Sequence, residues 1–137
     1  MPIELQIVTP QGPAWRGSVE SVVLPGSEGD FGVLANHERF LTSLRVGEAR
    51  IETGAQTLYA AIADGFADVS GAEVAVLVES CELAGSIDVA RAELARERAE
   101  AGLARLGADE GAERLAAYEA ALARARNRLT VSRRGAG

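Results

Sequence analysis

The amino-acid sequence changes its character near residue 85, and this change constrains the fold more than any other feature. Before it, short segments rich in β-branched residues alternate with glycine and proline turns. After it, 15 of the 52 residues are alanine and β-branched residues are scarce. The first composition is typical of strands and the second of helices. We therefore predict two domains, residues 1–85 and residues 86–137.

Alternating apolar and polar residues predict the strands of the first domain. Ile3, Leu5 and Ile7 follow the period-two pattern of a strand with one buried face. Turn residues then separate further strand-like segments. These predicted strands cover residues 18–24, 45–52, 57–62, 66–69 and 74–78. Short strands at this spacing indicate an antiparallel sandwich or barrel.

Two apolar stripes at helical spacing predict a helical hairpin in the second domain. The first stripe is Ala92, Ala95, Ala99, Leu103 and Leu106, and the second is Leu115, Tyr118, Leu122, Ala125 and Leu129. The short break between them implies an antiparallel pair. Because alanine buries little apolar surface, we expect this seam to be weak and the hairpin to be mobile. The predicted class is α+β: an N-terminal antiparallel β-sandwich followed by a C-terminal antiparallel two-helix hairpin.

The net charge of −6 is unevenly distributed. Residues 1–85 hold 4 Arg and 12 acidic residues, whereas residues 86–137 hold 10 Arg and 8 acidic residues. The overall acidity argues against nucleic acid as a partner, since phosphate binding needs a basic surface. The arginines of residues 124–134 either complement the end of a helix or bind an acidic partner or a phosphate.

The contents of the sequence exclude several classes of protein. One Cys and one His cannot form a disulfide framework or a Cys/His metal cluster, and we expect Cys81 to be a buried small apolar side chain. No apolar run reaches the roughly 18–20 residues that span a bilayer. The N-terminal residues lack the features of a secretory signal. We therefore expect a cytosol-like compartment, with membrane contact only through a partner.

Residues 24–37 contain three glycines at a spacing of three, with acidic residues between them. A phosphate-binding loop would need a following helix and usually a Lys, which this segment lacks. The residues favour a glycine-shaped crossover between strands, with an exposed docking tip as the functional alternative. His37 beside acidic residues is a candidate general base or metal ligand, but it has no second His or Cys to act with.

Several motifs are shared with one known family. They are Leu24-Pro25-Gly26-x-x-Gly29-x-x-Gly32-Val33-Leu34-x-x-His37, Gly65-Phe66-x-x-Val69, Ile87-Asp88-x-x-Arg91-Ala92 and Asn127-Arg128-Leu129. In these motifs, and over nearly its whole length, the chain resembles the epsilon subunit of F-type ATP synthases, called delta in mitochondria. It departs from the family at Arg39, near the position where a Pro is usual.

The resemblance implies a non-catalytic rotor subunit of the central stalk, on the cytoplasmic face of the bacterial cell membrane. The sandwich would bind the gamma subunit, and the glycine-rich segment would contact the ring of c subunits. The implied ring-contact residues are Glu28, Gly29, Asp30, Gly32 and His37. The helices would either fold against the sandwich or extend towards the alpha and beta subunits of the catalytic head, where they inhibit ATP hydrolysis.

The resemblance also implies a regulatory ATP site in some members, with no cofactor or metal required. The matching positions are Glu82, Ile87, Asp88, Arg91, Ala92, Arg98, Arg124 and Arg128. Two other classes of function are alternatives to a rotor subunit. A free-standing nucleotide-sensing module would not need gamma, and a small carboxylate hydrolase would use Glu28 and Asp30, although neighbours two apart on a loop give no fixed acid–base geometry.

Overall fold

The computed structural model describes residues 2–34, 37–107 and 111–134, with the backbone alone at His37. Within these residues the chain forms ten strands and two α-helices. The strands are β1 (Ile3–Thr9), β2 (Gly12–Val19), β3 (Ser21–Gly26), β4 (Gly29–Val33), β5 (His37–Leu44), β6 (Gly47–Glu52), β7 (Thr57–Ile62), β8 (Gly65–Gly71), β9 (Glu73–Val78) and β10 (Cys81–Leu83). One 3-10 turn (Ala84–Ser86) leads to α1 (Val89–Arg105) and α2 (Ala112–Ser132).

The strands form a β-sandwich of two layers, joined at one point. One layer has the order β10-β7-β6-β3-β4, and the other has the order β5-β8-β9-β1-β2. The layers connect where Gly26 pairs with Leu44. The β1–β9 ladder is parallel, with Leu5 opposite Val74, whereas the other ladders of the described residues are antiparallel. The α+β prediction of a sandwich followed by two helices is confirmed, apart from this one parallel pair.

The core lies between the two layers and is built from aliphatic side chains. Ile3, Leu5 and Ile7 are at most 1% exposed, so the alternation in the sequence is confirmed. The other fully buried large side chains come from both layers: Val19, Val22, Leu24, Val33, Ile51, Ile62, Val69, Val74 and Val76. Their burial supplies most of the driving force for folding of this part, because apolar area removed from water dominates stability.

Four strands were not predicted from the sequence: β2, β4, β5 and β10. The segment 18–24 is divided between β2 and β3. β4 lies in the glycine-rich stretch expected to form a crossover, and β5 begins at the last residue of that stretch, His37. That stretch is a hairpin: β3 pairs with β4 from Val22 opposite Val33 to Gly26 opposite Gly29. Gly29 has a φ of +135°, and a Cβ at Gly26 would lie 2.7 Å from the carbonyl oxygen of Gly29. The glycines therefore make a tight hairpin turn.

The two helices are antiparallel neighbours, as predicted, and α1 begins with a side-chain cap. The carboxylate of Asp88 accepts a hydrogen bond of 3.0 Å from the Arg91 N–H, which satisfies one of the free donors at the helix start. Most stripe residues are buried or half-buried, but Leu115 is 45% exposed. The buried Gly102 extends the seam, because the Tyr118 ring lies directly on it.

The C-terminal turns of α2 pack against the sandwich. Val131 is fully buried in a small cluster with Ala61, Ala84 and Ile87. One turn further on, Arg134 donates two hydrogen bonds to Glu48, of 2.9 and 3.1 Å, and its guanidinium lies 4.9 Å from the centre of the Tyr59 ring. The helices are thus folded down onto the β-sandwich.

Candidate functional site

A cavity of about 300 Å³ lies between the sandwich and the helical hairpin. Its floor comes from the ends of β7 and β10, and its sides come from α1 and α2. The lining residues are Val46, Ala61, Ile62, Ala63, Ser80, Glu82, Ala95, Ala121, Arg124, Ala125, Asn127 and Arg128. Apolar walls with a few charged groups are typical of small-molecule sites, and this volume is at the lower end of their range.

An ion pair is the main charged feature of the cavity. Glu82 is held on the edge strand β10, opposite Ala61 of β7, and faces Arg128 of α2. Arg128 Nη2 donates a 3.1 Å hydrogen bond to Glu82 Oε2. Its Nε is 2.6 Å from Oε1, although the N–H is not aligned for a second hydrogen bond. Because the two side chains are only 22% and 32% exposed, water screens this pair less than it screens the surface pairs.

The structure brings three of the eight predicted nucleotide-site residues to this cavity: Glu82, Arg124 and Arg128. Arg91 and Arg98 are exposed, on either side of the cavity-lining Ala95. Residues at these spacings share one side of a helix, so both side chains leave α1 on the side that carries Ala95.

The other three predicted residues have structural roles in this arrangement. Asp88 caps α1 through its side chain. Ile87 is 8% exposed and packs on Val131, and Ala92 is fully buried. These two buried side chains lie where the chain passes from the sandwich into α1.

The residues that attach α2 to the sandwich were not identified by any separate pattern in the sequence. Asn127 Nδ2 donates a 2.8 Å hydrogen bond to the carbonyl oxygen of Gly47. With Arg128, Val131 and Arg134 it forms a face opposite to the predicted apolar stripe. Since this second face is mostly polar, hydrophobic periodicity cannot reveal it; only the Asn127-Arg128-Leu129 motif marked its position.

The predicted ring-contact residues lie at the β3–β4 hairpin and just beyond it. Glu28, Gly29, Asp30 and Gly32 are all exposed. Asp30 is fixed by Arg45, whose Nη2 lies 2.5 Å from Asp30 Oδ1. His37 begins β5 and pairs with Gly71, but its side chain lies outside the described residues.

Large apolar side chains lie on the outer face of the β5-β8-β9 sheet. Phe66 is 54% exposed and pairs with Leu77, which is 50% exposed. Leu41 lies on β5, two residues before Ser43, which pairs with Phe66 on its other side, and is 68% exposed. These three side chains, which we call the apolar face, would expose contiguous apolar surface of the kind that marks protein–protein contacts.

Cys81 is half-buried on β10, packed against the core. Burial, with a smaller contribution from the charge of Glu82, raises the pKa of the Cys81 thiol from 9.0 to about 11. The thiol therefore stays protonated near neutral pH, as suits a small packing group. In the described parts of the chain, no three His, Cys, Asp or Glu residues are grouped to hold a metal ion. No helix among them has the length and apolarity needed to cross a membrane.

Comparison with known proteins identifies the family. The β-sandwich domain of the ATP synthase delta/epsilon chain matches residues 2–84, and the long alpha-helix domain of the same chain matches residues 86–133. The ATP synthase epsilon chain of Syntrophobacter fumaroxidans is 48% identical over 98 residues, covering 72% of this chain and 73% of its own length. That of Pelotomaculum thermopropionicum is 46% identical over 96 residues, covering 70% and 72%.

Solved structures show the same fold. A chain from the Euglena gracilis mitochondrial ATP synthase, from a structure of OSCP, F1 and the c-ring, aligns with a TM-score of 0.77 at 23% identity, covering 92% of this chain and 78% of that one. The epsilon-chain relatives also favour a non-catalytic subunit over the hydrolase alternative. Since both family domains match in order and span nearly all of the sequence, the chain belongs to the delta/epsilon chain family of ATP synthase.

Proposed function

We propose that the protein is a rotor subunit of the central stalk, in which the sandwich binds gamma and the β3–β4 hairpin contacts the c ring. The proposed binding to gamma rests on the apolar face of Leu41, Phe66 and Leu77, because covering such a surface with a partner stabilises the complex. The hairpin suits the ring because it is an exposed tip on a rigid support. Attachment through this complex would hold the chain at the cytoplasmic face of the cell membrane without a membrane span of its own.

Co-purification tests the gamma contact. Replacing Phe66 and Leu77 by Ser should weaken binding to the gamma subunit of the same synthase by roughly ten- to a hundredfold. About half of each side chain is exposed, so covering it buries apolar area worth about 0.75–1.5 kcal/mol per residue. Leu94→Ser is the matched control, because Leu94 is 46% exposed but lies on α1. Binding that is unchanged in the double variant would contradict the assignment. A chain that does not co-purify with any synthase subunit would favour the free-standing nucleotide sensor.

We further propose that the cavity binds ATP when the helices are folded down. The walls of Ala61, Ile62 and Ala125 suit the base. At 300 Å³ the cavity would leave the phosphates at its mouth, where Arg124, Arg91 and Arg98 can provide charge-assisted hydrogen bonds. A bound ATP would contact both the sandwich and the hairpin and would thereby stabilise the folded-down arrangement.

Calorimetry on the isolated full chain tests this site. We expect heat on titration with ATP, and an affinity reduced by roughly ten- to a hundredfold in Arg124→Gln, as for loss of a hydrogen bond to a charged group. Arg133→Gln is the control, since Arg133 is exposed and does not line the cavity. Absence of heat at millimolar ATP would overturn the proposal.

The same arrangement supports an inhibitory role for the hairpin. Released from the sandwich, α1 and α2 would extend towards the alpha and beta subunits, with the arginines of α2 available to acidic surfaces and with hydrolysis impeded. Folded down, Arg128 of α2 and Arg134 just beyond its end form ion pairs with Glu82 and Glu48 of the sandwich. The glutamates of the sandwich and the acidic surfaces of the alpha and beta subunits would therefore compete for Arg128 and Arg134.

A further inference from the structure

A line of direct contacts runs from α2 to the tip of the β3–β4 hairpin. It begins at Asn127, whose side-chain amide donates a 2.8 Å hydrogen bond to the carbonyl oxygen of Gly47. Gly47 is the first residue of β6 and is buried. This contact is the point where the helix touches the backbone on the hairpin side of the sandwich.

Gly47 in turn is tightly enclosed. A Cβ at this position would lie 2.6 Å from Pro25 Cβ and 3.0 Å from Arg45 Nη1, so only a glycine leaves room for both neighbours. Pro25 and Arg45 are themselves joined, because the Arg45 N–H donates a 2.9 Å hydrogen bond to the Pro25 carbonyl. A displacement of the Gly47 peptide therefore acts on both residues.

Arg45 completes the line. Its Nη2 lies 2.5 Å from Asp30 Oδ1 on β4. The neighbouring Ser27 is held by a 3.0 Å hydrogen bond from its N–H to the Ser43 carbonyl, and the two hydroxyl groups are 2.7 Å apart. The hairpin is thus anchored to the same short segment, residues 43–47, that receives Asn127.

We propose that docking of α2 on the sandwich restrains the β3–β4 hairpin, with Asn127, Gly47, Arg45 and Asp30 as the connecting residues. Release of the helix removes the hydrogen bond on the Gly47 carbonyl, which loosens the packing of Pro25 and Arg45 and frees the hairpin. By linkage, fixing the hairpin favours the docked helix to the same degree. The part of this proposal that concerns the ring rests on the proposed function, because it takes the hairpin to be the ring contact.

Amide hydrogen exchange of the isolated full chain tests the restraint. Asn127→Ala should raise exchange of the Ser27 and Arg45 amides by roughly three- to tenfold, the effect of losing one net hydrogen bond. Thr130→Ala, an exposed substitution one turn further along α2, should leave them unchanged. Amides of the β1–β9 ladder serve as the internal reference, because they lie outside the line of contacts.

A second, independent measurement tests the coupling in the opposite direction, from the hairpin to α2. Asp30→Asn should raise exchange of the Asn127 side-chain amide by about two- to fivefold, as suits an exposed ion pair. Glu28→Gln removes a carboxylate from the same hairpin but is not part of the contact line, and it should have no effect.

Equal protection of Ser27 and Arg45 in Asn127→Ala and Thr130→Ala would overturn the proposal. So would an equal response of Asn127 to the two hairpin variants. Because these measurements use the chain alone, they are decided separately from binding to the ring. If the restraint is found but the hairpin does not bind the c ring, the coupling stands and the proposed ring contact fails.

Discussion

Individual residues decide how closely the two helices approach each other. Gly102 is the clearest case: a Cβ there would lie 2.2 Å from Tyr118 Cε1, so the absence of a side chain lets the Tyr118 ring lie on the α1 backbone. A glycine in a helix interior costs about 1 kcal/mol relative to alanine. The aromatic contact compensates for that cost, since a half-buried tyrosine contributes a large apolar area.

This compensation predicts a substitution whose effect changes sign with its background. Gly102→Ala should destabilise the helical hairpin by about 1–2 kcal/mol, because overpacking against Tyr118 outweighs the gain in helix propensity. In a Tyr118→Ala background the same substitution should stabilise it by about 1 kcal/mol. Urea unfolding followed by ellipticity at 222 nm measures both. A stabilising effect in both backgrounds would contradict the packing argument.

Among the secondary-structure elements, the predictions from sequence were most accurate where one periodic pattern decided the structure. The alternation in β1 and the stripes of the helices gave the right element types. The strands β2 and β4 were missed because their glycines, and the proline of β2, resemble turns, and pairing with a neighbour makes them strands. β5 has no regular alternation of apolar and polar residues, and the three-residue β10 is too short for such a pattern to reveal it. Leu115 shows a second limit: it continues the stripe of α2 but remains 45% exposed.

The candidate site was predictable only in part, for a related reason. A motif can nominate Glu82, Arg124 and Arg128, but their convergence depends on where α2 meets β7 and β10. That placement comes from the second, polar face of α2, which includes Asn127 and Arg134 and which hydrophobic periodicity does not detect.

Val131 is fully buried where α2 contacts the sandwich, so we predict that shortening its side chain weakens the attachment of the helix. Val131→Ala should weaken docking by about 1–2 kcal/mol, since it removes buried methyl groups and leaves a small cavity. In the assembled synthase this shift should favour the extended helices and lower the rate of ATP hydrolysis. Val89→Ala, at a position 47% exposed, is the control and should change hydrolysis little. Faster hydrolysis in the Val131 variant would contradict the proposed inhibitory role of the extended helices.

At the scale of the whole molecule, the uneven distribution of charge helps to attach the helices to the sandwich. The acidic first part supplies Glu48 and Glu82, and the arginine-rich second part supplies Arg134 and Arg128. The Arg134 pair is the more exposed of the two, and exposed ion pairs contribute only about 0–1 kcal/mol each. The helices are therefore held by a few modest interactions, whereas the sandwich has a continuous aliphatic core.

This difference predicts that the two proposed domains, residues 1–85 and residues 86–137, lose their structure at different denaturant concentrations. Trp15, the single tryptophan, lies on β2 and reports on the sandwich by fluorescence, while ellipticity at 222 nm reports mainly on the helices. We expect the helical transition to come first in urea, and to move further towards low urea in 1 M salt, which screens the ion pairs. Coincident transitions would show a single cooperative unit instead.

The parallel pairing of β1 with β9 has a consequence for the order in which the chain folds during synthesis. Residues 4–8 of β1 pair with residues 73–77 of β9. This ladder therefore cannot form until nearly the whole sandwich has left the ribosome. Such distant partners slow folding, because the long loop between them must close first. The two helices follow after that closure and meet a finished surface on β6 and β7. Folding of the nascent chain would thus complete the β-sandwich before the helical hairpin is made.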